Sequence, residues 1–277
     1  MTLSNWLKGA ENALIRAECP DAILDAKLIA AGALKKSPGE IRFLGGMELD
    51  EQILETLESR LHRRANGEPL QYIENTAYFM DFEFFVDERV LIPRQDTETL
   101  VEYALEKIRA ISNPSVLDLC TGSGAIAVSI ASYRKDASVF ASDISKGALE
   151  VSKINAQRTR ADVTFFESDL FENLPKQKYD LITANPPYLT RDDMTALQKE
   201  VRREPELALF GGDDGLDIYR RIASELYSFL KPGGYALFEV GMGQAKDVLS
   251  ILNNDRTTES GIYKDLCGID RVVWIRS

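Results

Sequence analysis

The sequence predicts an α/β protein: a mostly parallel sheet with helices on both faces, preceded by a small helical domain and a linking β-hairpin. Three observations carry this. From residue 115 onward, short apolar runs alternate with helical spacings, the pattern of parallel strands joined by crossover helices. Residues 1–75 show helical periodicity with no strand-like run between. Residues 76–92 are aromatic and β-prone, which suits a hairpin between two domains.

The elements follow in chain order. Residues 5–18 place Trp6, Leu7, Ala10, Leu14 and Ile15 on one helical face. Residues 21–36 repeat the spacing with Ile23, Leu24, Leu28, Ile29 and Ala33, and residues 51–64 with Ile53, Leu54, Leu57 and Leu61. Asp21 and Asp50 suit helix N-caps. Nothing in this region suggests chemistry, so residues 1–75 read as a helical substrate-recognition domain. Within 76–92, the run from Tyr78 to Val86 and the triplet Val90-Leu91-Ile92 are the β-prone pieces. A helix over 96–108 then sets Leu100, Tyr103, Ala104 and Ile108 on one side. Strands are expected at 115–119, 138–141, 163–166, 179–184, 235–240 and 271–276, and helices at 125–133, 145–158, 217–230 and 244–252. Residues 93–277 form the second domain in this reading.

Composition narrows the class of partner. The net charge is −11, unsuited to holding a polyanion without a local basic cleft, so no stable nucleic-acid complex is expected. A basic protein surface is the better match. Cys19, Cys120 and Cys267 are far apart and lack metal-ligand spacing, which fits a reduced, cytoplasmic setting without a metal. No apolar run approaches the roughly 20 residues of a membrane span, and the first ten residues do not resemble a secretory leader. A monomer is expected.

Two loops carry the chemistry. In the first, the strand Val116-Leu117-Asp118-Leu119 runs into Cys120-Thr121-Gly122-Ser123-Gly124 and then a helix. Glycine lets a backbone approach a ligand where a Cβ would collide. Ala127 stands where a dinucleotide fingerprint has its last glycine, and no Gly-Lys-Ser/Thr follows, so neither that motif nor a P-loop is present. The next strand ends in Asp143-Ile144, about twenty residues past the turn, where an acid accepts hydrogen bonds from ribose hydroxyls. The third ends in Asp169-Leu170, with Asp169 suited to an adenine amino group and Leu170 or Phe171 to the ring. A tight turn and helix caps are the plainer readings of these residues, but three successive strand ends each carry a suitable residue.

In the second loop, Asn185-Pro186-Pro187-Tyr188 leaves the strand Leu181-Ile182-Thr183-Ala184. An amide or exocyclic amino nitrogen is a poor nucleophile, because its lone pair is delocalised, but it offers two N–H donors. The Asn185 side-chain oxygen and the Pro186 carbonyl can accept one each. That arrangement favours charge building on the nitrogen as it attacks. Two prolines restrict the loop, and Tyr188 can pack on the planar group. His62, the lone histidine, lies in His62-Arg63-Arg64 and reads as a solvated or partner-facing residue.

These strand-end residues resemble class I S-adenosylmethionine methyltransferases over residues 90–277. The resemblance implies a Rossmann-like, mostly parallel seven-stranded sheet and S-adenosyl-L-methionine as cofactor. It places Cys120, Thr121, Gly122, Ser123 and Gly124 along the methionine part, Asp143 and Ile144 at the ribose, Asp169 and Leu170 at the adenine, and Asn185 beside the methyl. Asn-Pro-Pro-Tyr occurs both in adenine methyltransferases of nucleic acid and in protein glutamine methyltransferases. Other segments separate them. Glu68-Pro69-Leu70-Gln71-Tyr72-Ile73, Ile92-Pro93-Arg94-Gln95-Asp96-Thr97-Glu98, Arg203-Glu204-Pro205-Glu206, Gly211-Gly212-Asp213-Asp214-Gly215 and Asp265-Leu266-Cys267-Gly268-Ile269-Asp270-Arg271 are similar to the PrmC/HemK family. That family methylates the glutamine of peptide chain release factors. The likeness implies, as substrate, the glutamine of a Gly-Gly-Gln motif in a bacterial release factor, with Asn185, Pro186, Pro187 and Tyr188 as its binding residues. Gln95 and Cys120 depart from the family pattern, which has proline and often glycine there. Arg94 and Thr97 serve either to close the cofactor site or as a surface turn and a helix cap.

Overall fold

The computed structural model describes residues 1–277. The chain forms two compact units: Met1–Thr76 with Gln198–Arg203, and Ala77–Leu197 with Glu204–Ser277. The hairpin therefore packs with the second unit, and a short segment from the second half of the chain packs with the first.

The first unit is helical: α1 (Leu3–Arg16), α2 (Ala22–Leu34), α3 (Pro38–Ile41), α4 (Glu51–Ala65) and α5 (Leu70–Glu74). Asp50 caps α4, its Oδ1 accepting the Ile53 N–H at 2.8 Å. Asp21 holds the cap position of α2 without a side-chain hydrogen bond, contrary to expectation. The core brings Leu3, Trp6, Ala10 and Leu14 against Ala22, Ala26, Ile29 and Ala30, with Leu57 and Leu61 of α4. Ile15, Ile23 and Leu24, expected on the buried faces, are exposed instead. Helix α2 is apolar nearly all round, so bulk alone misidentifies its inner face. The small alanines take that face, where they let neighbouring helices approach closely. A buried polar contact closes the unit: Arg64 Nε donates to Asp25 at 2.7 Å, and its Nη2 to Glu200 at 2.6 Å.

The second unit opens with a hairpin, β1 (Ala77–Phe79) and β2 (Phe82–Phe84), in the register Ala77↔Phe84. Val90-Leu91-Ile92 forms no strand. Val90 and Ile92 are buried, and the Ile92 N–H is taken by Glu204 at 3.1 Å rather than by a sheet neighbour. A 3₁₀ turn (Gln95–Thr97) leads into α6 (Glu98–Lys107). The strands that follow are β3 (Ser115–Leu119), β4 (Ser138–Asp143), β5 (Val163–Glu167), β6 (Tyr179–Ala184), β7 (Leu230–Glu239), β8 (Glu259–Lys264) and β9 (Asp270–Arg276). The helices are α7 (Ala125–Tyr133), α8 (Lys146–Thr159), α9 (Arg191–Ala196), α10 (Asp217–Phe229) and α11 (Ala245–Leu252).

The seven strands lie in the order β5-β4-β3-β6-β7-β9-β8. The first five are parallel; β9 runs antiparallel to β7, and the edge strand β8, antiparallel to β9, runs in the direction of the first five. Alternation along each strand sorts the core into two layers. Leu117, Ile182 and Phe238 face Tyr219, Ile222 and Val248 of α10 and α11. Val116, Leu181 and Leu237 face Leu100, Ala104 and Val128 of α6 and α7. Edge strand β8 escaped the sequence reading because its residues are mostly polar and half-exposed, so no apolar run marks it.

Candidate active site

The strand order sets the carboxyl ends of β5, β4, β3 and β6 side by side, where open α/β sheets bind ligands. They frame a cleft of about 1110 Å³, its solvent-open mouth included. Cys120, Thr121, Gly122 and Ser123 line it from β3, and Asp143 and Ile144 from β4. Asp169 and Leu170 line it from β5, and Asn185 and Pro187 from β6. All come from positions singled out in the sequence.

Two of the residues expected at the cofactor lie elsewhere. Gly124 does not line the cleft. It caps α7 with φ 82°, and a Cβ there would stand 2.8 Å from the Ser152 Cβ on α8. Its missing side chain permits close packing of α7 on α8. Phe171 is buried in the core, stacked on Phe229 at 4.6 Å.

Asp143 ties the cofactor loop to the neighbouring strand. Its Oδ2 accepts the Gly122 N–H at 2.9 Å and its Oδ1 the Ser145 N–H at 2.8 Å. Burial raises its pKa, and the N–H groups of Ser145 and Gly122 oppose that rise. Each carboxylate oxygen has a second lone-pair site, so a vicinal diol remains within its acceptor capacity. Asp169 is half-buried and paired with Arg221 at 2.8 Å. Burial raises the Cys120 thiol, and Asp143, Asp118 and Asp169 raise it further, so Cys120 faces the cleft as a neutral group.

Asp118 lies fully buried in β3. It accepts from Thr121 at 2.6 Å and from Thr183 at 2.8 Å, joining the cofactor loop to β6. Burial pushes its pKa up to about 7.

The β6 loop is held by backbone packing. The Leu189 N–H donates to the Leu209 carbonyl and the Gly211 N–H to the Leu189 carbonyl, each at 2.9 Å. A Cβ on Gly211 would fall 2.5 Å from the Pro187 oxygen, and one on Gly215 would fall 2.2 Å from the Tyr188 oxygen. The diglycine stretch is thus the floor of this loop. Gln244 clamps the other side, donating to the Tyr188 carbonyl at 3.0 Å and accepting the Gly241 N–H at 3.0 Å. Pro186 is buried, Tyr188 is half-buried, and neither lines the cleft. Burial, with the Glu239 carboxylate, pushes the Tyr188 phenol upward, so it stays protonated.

Asn185 donates through Nδ2 to the Thr97 hydroxyl at 3.3 Å. Thr97 stands at the cap position of α6 but makes no capping bond with its side chain. Of its two sequence readings, the hydroxyl follows the site. Arg94 also borders the cleft, and its guanidinium pairs with the buried Glu204. Glu239, at the end of β7, is a site residue that no sequence motif marks. Its carboxylate lies beside Thr97 and Asn185, which favour its charged form. An acid closing the apolar run Ala236-Leu237-Phe238 was the available signal, since buried carboxylates are rare without a partner.

This sheet, with a nucleoside-type cleft beside an Asn-Pro-Pro-Tyr loop, defines a methyltransferase. Comparison with known proteins agrees. The family described as "Methyltransferase small domain" matches residues 95–207, and the "PrmC N-terminal domain" matches residues 5–74. The chain is 40% identical over 254 residues to a release factor glutamine methyltransferase of Clostridium acetobutylicum, covering 90% of this chain and 89% of that one. It is 42% identical over 267 residues to the release factor glutamine methyltransferase of Geobacter sulfurreducens, covering 96% and 90%. A solved rRNA methyltransferase of Thermus thermophilus (RsmC) shares the fold, with TM-score 0.51, 17% identity and coverage of 73% and 49%. The chain belongs to the release factor glutamine methyltransferase family.

Proposed function

We propose that the protein transfers a methyl group to the side-chain amide nitrogen of the glutamine in the Gly-Gly-Gln motif of peptide chain release factors. The observation that carries the chemistry is the orientation of Asn185. Its Nδ2 is committed to Thr97, so Oδ1 is the atom left to meet a substrate N–H. The family relationship carries the choice of protein glutamine over a nucleic-acid base.

The cofactor is S-adenosyl-L-methionine, which supplies an electrophilic methyl group on a sulfonium. Asp143 would take the ribose hydroxyls, Ile144 and Leu170 would flank the adenine, and Gly122 gives the methionine part a wall without a side chain. Asn185 Oδ1 and the Pro186 carbonyl each accept one amide N–H of the substrate. Holding both hydrogens fixes the nitrogen and stabilises the positive charge that grows on it. Tyr188, neutral, packs on the planar amide. The amide nitrogen would take the methyl from the sulfonium together with its positive charge, and the extra proton would leave to water. Alignment, set by the packed loop, supplies most of the acceleration. The helical unit contacts the release factor away from the reacting glutamine.

Mass spectrometry of a release factor incubated with enzyme and cofactor tests this. One added methyl on the Gly-Gly-Gln peptide is expected. Modification of DNA or RNA oligonucleotides, with release factors unmodified, would replace this reading with a nucleic-acid one.

A further inference from the structure

We propose that Glu239 is a positioning residue for methyl transfer: acting largely through Thr97, it fixes which way the Asn185 amide faces. The inference rests on the proposed glutamine chemistry for its consequence, but its geometry stands apart from it.

The two ends of an asparagine amide are nearly equal in shape and opposite in hydrogen-bonding character. Turned one way, Asn185 presents an acceptor to a substrate N–H. Turned the other, it presents a donor, and the productive contact is lost. Something must choose, and the loop packing alone does not distinguish the two ends.

The choice comes from the hydrogen-bond inventory. Asn185 Nδ2 donates to Thr97 Oγ1 at 3.3 Å. The Thr97 hydroxyl has one proton, and it caps no helix. The Glu239 carboxylate lies beside both Thr97 and Asn185, which favour its ionised form, so it is the acceptor toward which that proton turns. An ionised carboxylate only accepts, so the sequence Asn185 to Thr97 to Glu239 has one possible direction. A chain ending in a group able to donate would let Thr97 turn its proton toward Asn185, and the amide could flip.

Glu239 is well placed for this. It and Asn185 each lie one residue beyond the Ala184↔Phe238 pair of the adjacent strands β6 and β7. It is 1% exposed, its Oε2 has no hydrogen-bond partner, and its main chain is anchored by the Tyr219 hydroxyl donating to its carbonyl at 2.6 Å. The charged and titratable groups facing it are Arg271 and Asp96, which pair at 2.9 Å, with Tyr188 and Tyr219. Burying a carboxylate that is so incompletely satisfied is unfavourable. A nearby role that requires an acceptor explains its presence.

Burial also raises the Glu239 pKa to about 7, while Thr97, Arg271 and Asn185 oppose the rise. The directional chain is therefore complete above neutrality and relaxes below it.

The test uses full-length Glu239→Gln and Thr97→Val with two readouts. The first is steady-state methyl transfer to release factor. Both variants are expected to lose at least about tenfold in kcat, with cofactor Kd changed by less than about threefold. Thr97→Ser, which keeps the hydroxyl, should recover most of the loss. The second readout needs no substrate: the Asn185 side-chain NH₂ resonances, assigned with Asn185→Asp. In the wild type they should titrate with a midpoint near 7, and in Glu239→Gln they should not. Wild-type kcat in both variants, or an Asn185 signal with the same titration in Glu239→Gln, overturns the proposal. So does a loss of cofactor affinity that parallels the loss of kcat. A wild type that methylates no release factor, yet shows the Asn185 titration, defeats the substrate reading and leaves the positioning intact.

Discussion

Asp143 Oδ2 accepts the Gly122 backbone N–H at 2.9 Å, so one carboxylate both shapes the cofactor loop and faces the cleft it encloses. Removing it takes away a loop anchor and an acceptor together. Asp143→Ala is expected to weaken S-adenosylmethionine binding by at least about tenfold, as measured by calorimetry. At saturating cofactor its kcat should fall less than its affinity does. Unchanged affinity would remove Asp143 from the ribose site.

The loop floor gives a second prediction. A Cβ at Gly211 would lie 2.5 Å from the Pro187 oxygen and 2.7 Å from the Tyr188 Cα. Both are backbone positions, so the loop itself must move. Displacement of a reacting group by about 1 Å costs on the order of a hundredfold in rate. Gly211→Ala should therefore lower kcat by about tenfold or more, with a modest fall in Tm. Retained kcat would show that the loop tolerates displacement.

Buried acids set a pH dependence of stability. Asp118 and Glu239 have pKa values pushed from 3.8 and 4.5 up to about 7 by burial. Between those limits the folded state keeps protons that the unfolded state has lost. Their contribution to stability is thus fully present below about 4 and is lost as pH rises through about 7. Asp25, Glu74 and Asp143 are raised by burial too and act in the same direction. Asp136 and Asp214, lowered to about 2 by arginine partners, lose their contribution only at much lower pH. Thermal unfolding should accordingly give a higher Tm at pH 5.5 than at pH 8, with the difference reduced in Glu239→Gln. A Tm that rises over this interval contradicts the assignment.

Arg64 tests the helical unit. Its side chain is 4% exposed and neutralises Asp25, itself 8% exposed. Arg64→Met leaves that carboxylate buried and unpaired, which costs about 3–5 kcal/mol. Urea denaturation should show the loss, and Asp25→Leu combined with Arg64→Met should recover part of it. A single variant as stable as the wild type would mean that Asp25 escapes to solvent.

What the sequence revealed followed physical visibility. Ala125–Tyr133, Ser115–Leu119 and Tyr179–Ala184 have the bounds expected of them, because apolar runs end there at turn residues. Strand β8 did not show, being polar and at an edge. The inner face of α2 was read only in part: Ile29 lies on it as expected, but alanines rather than Ile23 and Leu24 fill the rest. At the site, residues on successive strand ends were legible since each strand delivers its next residue to the same rim. Gly124 packs α7 on α8 rather than lining the cleft, a distinction sequence does not carry, because a glycine that admits a ligand and one that admits a helix look alike. Glu239 depends on the pairing of β6 with β7, which no local pattern reports.

The central claim is tested most directly by transfer of a labelled methyl from S-adenosylmethionine to a purified release factor. The substrate is compared with a variant in which the Gly-Gly-Gln glutamine is replaced. Label should appear on the intact factor, vanish on the variant, and appear at least about tenfold more slowly with Asn185→Ala enzyme. Equal labelling of the intact and altered factors, or an undiminished rate with Asn185→Ala, would contradict the account.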